Sequence, residues 1–216
     1  MNHLRKLEKI VPEYHSKNVF LRNLFFKRLE LAIELAKSKL NSNKNLNVID
    51  LGCGEGLLLQ LLEKKFKNIR TFGIDIEPNI LGLRKFLRSE IKIADIRDSG
   101  FPDNFFDIVF CLDVLEHFEI LKEPVEKIKR ILRPQGLLVV SLPTENLFYK
   151  IGRFLIKGTI SSKKGPCSSP HFYTAAEIEK YLCYNKFKII QKKYLPPAAF
   201  LALFHIVSFG PTKILK

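Results

Sequence analysis

The stretch that most constrains the fold of this chain is residues 48–56, VIDLGCGEG. An apolar run ends at an acid, turns through three glycines at alternate positions, and continues into leucines that can begin a helix. This order is typical of a strand, a tight loop and a helix. Glycine allows positive φ and close approach to a ligand, and the first N–H groups of a helix have no partner within it. The stretch therefore predicts a site for a nucleotide-type cofactor.

Strand and helix patterns then alternate along the chain. The strands that follow the glycine loop are nearly continuous apolar runs, which indicates a parallel sheet covered on both faces. We expect an α/β fold with a doubly wound, mostly parallel sheet, N-terminal helices, and a helical or loop insert after strand five. The pattern predicts helices over 18–40, 55–66, 78–89 and 119–132, and strands over 70–76, 91–95, 106–112, 136–142 and 187–194.

Acidic side chains lie at the predicted carboxyl ends of four successive strands. They are Asp50, Asp75 with Glu77, Asp95 and Asp113. Ligands of doubly wound folds bind beyond these strand ends, and a carboxylate about 20–25 residues past the glycines suits a ribose diol. Asp75 fits that spacing, and Asp95 with the backbone N–H of Ile96 could bind an adenine edge. An isolated aspartate is more often a cap or turn residue, but four acids at four strand ends predict a binding site.

The glycine spacing and the charge of the loop distinguish two nucleotide ligands. A dinucleotide site has Gly-x-Gly-x-x-Gly with pyrophosphate at the helix N-terminus, whereas this loop has Gly-x-Gly-x-Gly. Asp50 and Glu55 would repel pyrophosphate. They suit a ligand with a fixed positive charge and an ammonium group, and S-adenosylmethionine is such a ligand.

Five ordered motifs carry a family resemblance. They are residues 50–56 (DLGCGEG), 73–78 (GIDIEP), 94–95 (AD), 106–117 (FDIVFCLDVLEH) and 132–136 (LRPQG). As an ordered set they resemble the class I S-adenosylmethionine-dependent methyltransferases, and they are most similar to the small-molecule branch that includes ubiquinone and menaquinone biosynthesis enzymes. The resemblance implies direct in-line methyl transfer to a small-molecule or lipid-like acceptor, with S-adenosylhomocysteine as the product. It also implies an N-terminal helical cap over 1–44 and a Rossmann-like methyltransferase domain over 45–216.

The resemblance assigns roles at the methionine end of the cofactor. It implies that Gly52 and Gly54 approach the methionine part and that Asp50 lies near its ammonium group. The backbone around Leu112 would contact the same amino group. Cys53 occupies a loop position where cysteine is common, and it needs no thiol chemistry there.

The resemblance also assigns roles at the adenosine end. Asp75, with Ile76 beside it, would bind the ribose hydroxyls, while Asp95 and Ile96 would bind the adenine. Glu77 replaces the small hydroxyl residue that often follows the ribose acid.

Two histidines are candidates for catalysis. His117 follows strand four in the same turn as Glu116, and a base is needed only if the acceptor is protonated at the working pH. His171 precedes a helix that we expect to begin after Thr174, with Glu177 completing a capping box. A packing or hydrogen-bonding role is the alternative for each histidine.

The segments after strand five are the expected source of acceptor specificity. Residues 144–172 form a substrate-side insert that mixes aromatic and basic side chains, and a connection of this length is typical of a lid or binding segment. Residues 198–209 are almost wholly apolar. They form either a seventh strand that completes the fold or a short helix that dips into a membrane surface.

Charge leaves the choice of partner open. The chain has a net charge of +14, and the excess lies in residues 1–45 and 150–193, whereas residues 46–149 are slightly acidic. Basic flanks suit an anionic membrane, a nucleic acid or an acidic substrate, and solvated lysines are the structural alternative. An RNA methyltransferase and a non-catalytic cofactor-binding subunit are therefore rival hypotheses, although no Asn/Asp-Pro-Pro-Tyr tetrapeptide follows strand four.

Cysteine usage and hydropathy indicate the compartment. The four cysteines are scattered without a Cys-x-x-Cys pair, so we expect reduced thiols and no metal. The longest apolar tract, residues 194–209, is interrupted by two prolines and is shorter than the ~20 residues of a spanning helix. We expect a cytoplasmic protein, with peripheral membrane contact as the alternative.

Overall fold

The computed structural model describes residues 18–42, 44–144, 170–198 and 201–212. Within these ranges seven strands form one sheet. The strands are β1 (Leu46–Leu51), β2 (Ile69–Asp75), β3 (Glu90–Ile93), β4 (Phe106–Leu112), β5 (Leu132–Pro143), β6 (Phe187–Leu195) and β7 (Phe204–Pro211). The α-helices are α1 (Val19–Leu40), α2 (Leu57–Lys65), α3 (Lys122–Ile131) and α4 (Ala175–Tyr184). Three 3-10 helices span Pro78–Lys85, Ile96–Asp98 and Leu115–His117.

The sheet has the strand order β3-β2-β1-β4-β5-β7-β6. Strands β1 to β5 pair in parallel, and β7 is antiparallel to both of its neighbours. The chain starts near the middle of the sheet, builds outward to β3, and returns to the other side at β4. This is the predicted doubly wound, mostly parallel α/β fold, which is confirmed. The order reverses between β1 and β4, and such a switch point opens a crevice at the carboxyl ends of the strands.

Helices cover both faces of the sheet. Successive residues of a strand point to opposite faces, so Val109 packs with α3 and α4 whereas Ile108 and Phe110 pack with α1 and α2. The predicted helix over 18–40 is confirmed as α1, and its apolar stripe lies against the sheet. The suggestion of a lid from Tyr14 or His15 falls outside the described residues.

Several predicted elements differ from the structure in type or in bounds, and α3 begins at Lys122 rather than at residue 119. The segment predicted as a helix over 78–89 is a 3-10 helix, Pro78–Lys85. Its Pro78 and Gly82 disfavour a regular α-helix, and its buried residues Ile80 and Leu83 are three apart, which matches the 3-10 period. Strand β3 ends at Ile93, two residues earlier than expected.

The residues just before the predicted strand five, 133–136, form a bulge within β5. Strand β4 advances from Phe106 to Ile108 while its paired strand advances from Leu132 to Leu137, so the intervening residues of β5 lie outside the ladder. A bulge of this kind leaves the extra residues unpaired and bends the strand. The strand therefore begins at Leu132 rather than at residue 136.

The C-terminal segment completes the sheet. Strand β7 lies between β5 and β6, and Ile206, Val207 and Phe209 are fully buried. The seventh strand is confirmed, and the alternative of a membrane-dipping helix is wrong for residues 204–209. Among the described residues, no helix is both long and apolar enough to cross a membrane. Most of the predicted insert, residues 145–169, falls outside the described ranges.

Candidate active site

The glycine loop has the backbone conformation that its sequence predicts. Gly52, Gly54 and Gly56 all have positive φ, at 76°, 48° and 69°. A Cβ atom at Gly52 would lie 2.5 Å from Cγ2 of Val114, which belongs to the turn after β4. Glycine at this position therefore meets both a conformational and a steric requirement.

The amides of the loop are bound by β2 and are not directed at a phosphate. The N–H groups of Gly52 and Cys53 both donate to the carbonyl of Ile74, at 2.8 and 2.9 Å. The N–H of Gly54 donates to Oδ2 of Asp75 at 2.9 Å. A phosphate-binding loop needs such amides free. The loop thus lacks the usual phosphate cradle at these three positions, in agreement with its charge.

A cavity of about 60 Å³, open to solvent on one side, lies at the carboxyl ends of β1 and β4. Five of the predicted cofactor residues line it, namely Asp50, Gly52, Cys53, Gly54 and Leu112. The cavity is also lined by Glu55 and by Arg28, Leu29, Leu57 and Leu58. The structure therefore brings together the residues assigned to the methionine end of the cofactor.

Two buried acids give the cavity its electrostatic character. Asp50 is 4% exposed and Glu55 is 5% exposed. Burial, with a smaller contribution from the nearby Asp75 and against the opposing effect of Arg28, raises the pKa of Asp50 to about 7. The ionised form of a buried acid with a raised pKa is stabilised by a positive charge placed beside it. The cavity consequently fits a cationic group better than a neutral or anionic one.

Sequence reasoning missed Arg28. This residue is on α1, and its side chain is buried in an ion pair with Asp113, the residue that follows β4. Its guanidinium carbon lies 5.1 Å from the ring centroid of Phe25 and 5.2 Å from that of Phe204. A signal was present, because Arg28 lies four residues from both Leu24 and Ala32 and so belongs to the apolar face of the helix. A charge on a buried face indicates a specific partner.

The turn after β4 is held by polar contacts. Asp113 adopts a φ of 54°, which is uncommon for a residue with a side chain. Its backbone N–H donates to the carbonyl of Ser141 at 2.9 Å, and the hydroxyl of Ser141 donates to Oδ1 of Asp113 at 2.5 Å. Together with the Arg28 ion pair, these contacts tie α1, β4 and β5 together beside the cavity.

Asp75 and Ile76 lie next to the cavity but do not line it. The carboxylate of Asp75 accepts from the N–H groups of Gly54 and Glu77, at 2.9 and 3.1 Å. These bonds fix its orientation and leave further lone pairs for hydroxyl groups. Ile76 is 67% exposed at the end of β2. An exposed isoleucine beside a fixed carboxylate is consistent with the predicted adenosine end.

Asp95 has structural contacts within the protein in addition to its predicted role in binding adenine. Its carboxylate caps the 3-10 helix Ile96–Asp98 and forms an ion pair with Arg97, with a closest Oδ2–Nη2 distance of 2.7 Å. The hydrogen bonds from Arg97 hold the pKa of Asp95 below its ordinary value. The side chain of Ile96 is buried, so only its backbone is available to a ligand. The adenine contact of these two residues stays a prediction.

The two candidate histidines contact one another. The ring centroids of His117 and His171 are 4.9 Å apart, and Nδ1 of His117 lies 3.2 Å from the carbonyl oxygen of Pro170. Burial lowers the pKa of His117, the hydrogen bond to Pro170 opposes this, and His171 lowers it further. A lowered pKa favours the neutral imidazole, which has a ring nitrogen that can accept a proton. His117 and His171 are more than fifty residues apart in the sequence, yet they lie side by side in the structure.

The thiol of Cys53 is not arranged for chemistry. Burial raises its pKa, and the nearby Asp50 and Asp75 raise it further. A buried thiol with a raised pKa is a poor nucleophile. Its sulfur lies 3.0 Å from the position that a Cβ atom at Gly73 would occupy, so its role is packing between the loop and β2.

Comparisons with known proteins bear on the family resemblance and on the fold. The family profile described as a methyltransferase domain matches residues 49–140. An uncharacterized protein of Methanocaldococcus jannaschii is 35% identical over 132 residues, which are 61% of this chain and 54% of that protein. The ubiquinone biosynthesis O-methyltransferase of Rickettsia bellii is 29% identical over 147 residues, which are 65% of this chain and 61% of that protein.

A solved structure shows the same fold. The 1,6-didemethyltoxoflavin-N1-methyltransferase of Burkholderia thailandensis, determined with bound 1,6-didemethyltoxoflavin and S-adenosylhomocysteine, superposes with a TM-score of 0.62. The sequence identity is 17%, and the match covers 96% of this chain and 88% of that one. The chain therefore shares the overall fold of that methyltransferase.

Residues 49–140 match the methyltransferase domain family. The predicted resemblance to class I S-adenosylmethionine-dependent methyltransferases, and to the ubiquinone biosynthesis enzymes among them, is confirmed. The chain spans 54% and 61% of the lengths of the two relatives described above.

Proposed function

We propose that this protein is an S-adenosylmethionine-dependent methyltransferase that moves a methyl group directly to a small-molecule or lipid-like acceptor. The observation that carries the proposal is the buried acid pair Asp50 and Glu55 in a cavity beside a glycine loop whose amides are already bonded. S-adenosylmethionine, when bound, supplies an already activated methyl group. The protein has to bind and orient the reactants and exclude water.

The residues around the cavity divide this task. Asp50 and Glu55 supply negative charge for the cationic methionine end, and Asp75 offers its fixed carboxylate to the ribose hydroxyls. Asp95 and Ile96 are assigned to the adenine. Leu112 provides backbone at the carboxyl end of β4, where the methyl group would face the acceptor.

The acceptor side is assigned to the histidine pair. His117 is five residues beyond Leu112, and its Nδ1–H donates to a carbonyl that can only accept, so Nε2 carries the lone pair. For an acceptor that is protonated at the working pH, His117 would take the proton, and His171 would contact the acceptor beside it. Two relatives support a small acceptor, because one is named for ubiquinone biosynthesis and the other was solved with a small heterocycle.

We further propose a cytoplasmic location with peripheral contact at an anionic membrane. The basic flanks of the sequence support this, and a lipid-like acceptor would be reached from such a surface. We also propose the division into a helical cap over 1–44 and a methyltransferase domain over 45–216, from the family resemblance, and a substrate-side insert at 144–172, from its length and composition.

The function can be tested by following a labelled methyl group. The protein is incubated with methyl-labelled S-adenosylmethionine and with separate lipid, small-metabolite and RNA fractions of an extract. Label is expected in the lipid or small-metabolite fraction with the parent protein and at background with Asp75→Ala. Label in RNA would contradict the proposed acceptor, and no label in any fraction together with no cofactor binding would contradict the proposed activity.

A further inference from the structure

Glu116, His117 and His171 form a cluster of potential metal ligands on the acceptor side of the site. One ligand atom from each side chain lies within 4.8 Å of the ligand atoms of the other two. Glu116 and His117 belong to the 3-10 helix Leu115–His117, and His171 precedes α4. The cluster lies apart from the acids of the cofactor cavity and has a different composition.

The carboxylate of Glu116 lies in a buried setting. Glu116 is 1% exposed, and both of its carboxylate oxygens are inaccessible to solvent. Removing an ionised carboxylate from water costs free energy that a nearby positive charge offsets. Two imidazoles beside a buried carboxylate supply donors that a divalent cation can use at the same time.

The hydrogen bond of His117 prepares its ring for coordination. A carbonyl oxygen can only accept, so the contact with Pro170 places the proton on Nδ1 and leaves the lone pair on Nε2. Histidine ligands of metals usually donate their other ring N–H to a carbonyl or carboxylate in this way, which fixes the tautomer and the ring orientation. The contact has the form of an outer-shell bond of a metal site.

The two segments that carry the cluster are joined by further hydrogen bonds. The N–H of Phe172 donates to the carbonyl of Glu116 at 2.8 Å. The hydroxyl of Tyr173 donates to the carbonyl of Glu119 at 2.8 Å. These bonds flank His171 and Glu116, and they hold the three potential ligands in register before any cation binds.

We propose that Glu116, His117 and His171 bind one divalent transition-metal cation, with zinc the best match to the donor set. Two imidazole nitrogens and one carboxylate oxygen are a ligand set of catalytic zinc sites, which keep a fourth position for water or substrate. Tetrahedral ligands at zinc are separated by about 3.4 Å, so ligand atoms that lie within 4.8 Å of one another would have to approach by at most about 1.4 Å on binding.

The cation would also change the chemistry of the acceptor side. This part rests on the proposed function. In the metal-loaded protein both imidazoles would act as ligands rather than as bases, and the cation would keep a fourth position for an oxygen of the acceptor. A cation bound to a hydroxyl oxygen lowers the pKa of that hydroxyl, which favours loss of its proton before transfer. The site therefore favours an acceptor that offers a hydroxyl group.

The binding test uses the full-length chain, purified without a polyhistidine tag and stripped of metal with a chelator. Zinc chloride is titrated by calorimetry, and cobalt chloride is titrated with visible absorption as a spectroscopic signature of the ligands. One equivalent of zinc is expected to bind to the parent protein. His171→Ala and Glu116→Gln are expected to weaken the affinity at least about 100-fold, because loss of a ligand costs no less than loss of its outer-shell partner.

Two matched variants serve as controls. Glu119→Gln makes the same change at an exposed position in the same turn, and His205→Ala removes an imidazole from β7. Both are expected to bind zinc as the parent does. Circular dichroism checks folding. If Glu116→Gln does not fold, the test is decided by His171→Ala alone, because His171 is only half-buried.

The proposal is overturned if the parent binds no stoichiometric zinc, or if folded His171→Ala binds it unchanged. S-adenosylmethionine binding is measured in the same metal-free samples. Cofactor binding without zinc binding would overturn the metal site and leave the proposed function standing. Zinc binding without cofactor binding would support the metal site and contradict the proposed function.

Discussion

The proposed cofactor half and the proposed acceptor half of this site are built in different ways. In the cofactor half, each functional group lies at or just beyond the carboxyl end of one of the strands β1 to β4, and it is placed by the strand that precedes it. In the acceptor half, the groups meet across the chain: Arg28 pairs with Asp113, and His117 contacts His171. The first half is encoded by local motifs, whereas the second depends on packing between remote segments.

The difference has a consequence for mutation. A change in the cofactor half should act on ligand binding directly, because the backbone there is fixed by the sheet. A change in the acceptor half should act through the relative positions of α1, the turn after β4 and the segment before α4. Four measurements test this contrast, and they are ordered by expected effect.

The largest effect is expected for Asp75→Ala. The change removes a carboxylate that is already oriented by two backbone N–H groups. Hydrogen bonds to a charged group contribute about 1.5–3 kcal/mol each, so loss of two ribose contacts should weaken S-adenosylmethionine binding at least about 100-fold. Calorimetry measures the affinity. Asp98→Ala, an exposed acid nearby, should bind like the parent, and equal losses in both variants would contradict a specific role for Asp75.

The second effect concerns the free energy of unfolding. Gly52→Ala places a methyl group 2.5 Å from Val114, and it puts a side chain on a residue whose φ is 76°. We expect the free energy of unfolding to fall by about 2–3 kcal/mol. Denaturant titration measures it. Gly82→Ala is the matched control because no atom lies within 4 Å of the added methyl. If the clash is responsible, Gly52→Ala combined with Val114→Ala will be less destabilised than the sum of the single variants.

A smaller effect on cofactor affinity is expected for Arg28→Met. The variant keeps most of the side-chain volume but breaks the ion pair that joins α1 to Asp113. We expect about tenfold weaker binding of S-adenosylmethionine, because Arg28 both lines the cavity and positions the turn after β4. Lys27→Met, at the exposed neighbouring position, should leave the affinity unchanged. An unchanged affinity for Arg28→Met would mean that the two halves of the site are independent.

The smallest effect is a pH dependence of cofactor affinity. The raised pKa of Asp50, about 7 in the ligand-free protein, means that a cationic ligand must displace a proton at lower pH. Affinity should therefore rise by about fourfold between pH 6.5 and pH 8 and level off above that range. Asp50→Asn should bind more weakly and lose this dependence. A dependence that persists in the variant would assign the titration to another group.

Sequence patterns predicted the cofactor half well for a physical reason. Strand, turn and helix signals are local, and the acids that follow each strand are brought to one edge by the parallel arrangement itself. Asp50, Asp75 and Asp95 could therefore be placed before any coordinates. Local signals failed where two preferences compete, as at Pro78 and Gly82, where the segment winds as a 3-10 helix.

The acceptor half could be predicted only in part. The capping box of Thr174 and Glu177 is present, as the sequence indicated. The partner of Arg28 could not be deduced, because α1 and Asp113 are far apart in the sequence and no motif links them. Absence of Cys-x-x-Cys pairs led to the expectation of no metal, and a histidine and carboxylate cluster drawn from two segments has no such spacing to detect.

The contact between Phe25 of α1 and Phe204 of β7, with ring centroids 5.5 Å apart, has a consequence for folding. These residues are roughly 180 positions apart, and contacts at such a separation close late and slowly because their entropy cost precedes their stabilisation. Arg28 lies between the same two rings. The cavity can thus reach its final form only after the last strand has entered the sheet, so refolding experiments should show cofactor affinity recovering after most secondary structure has formed.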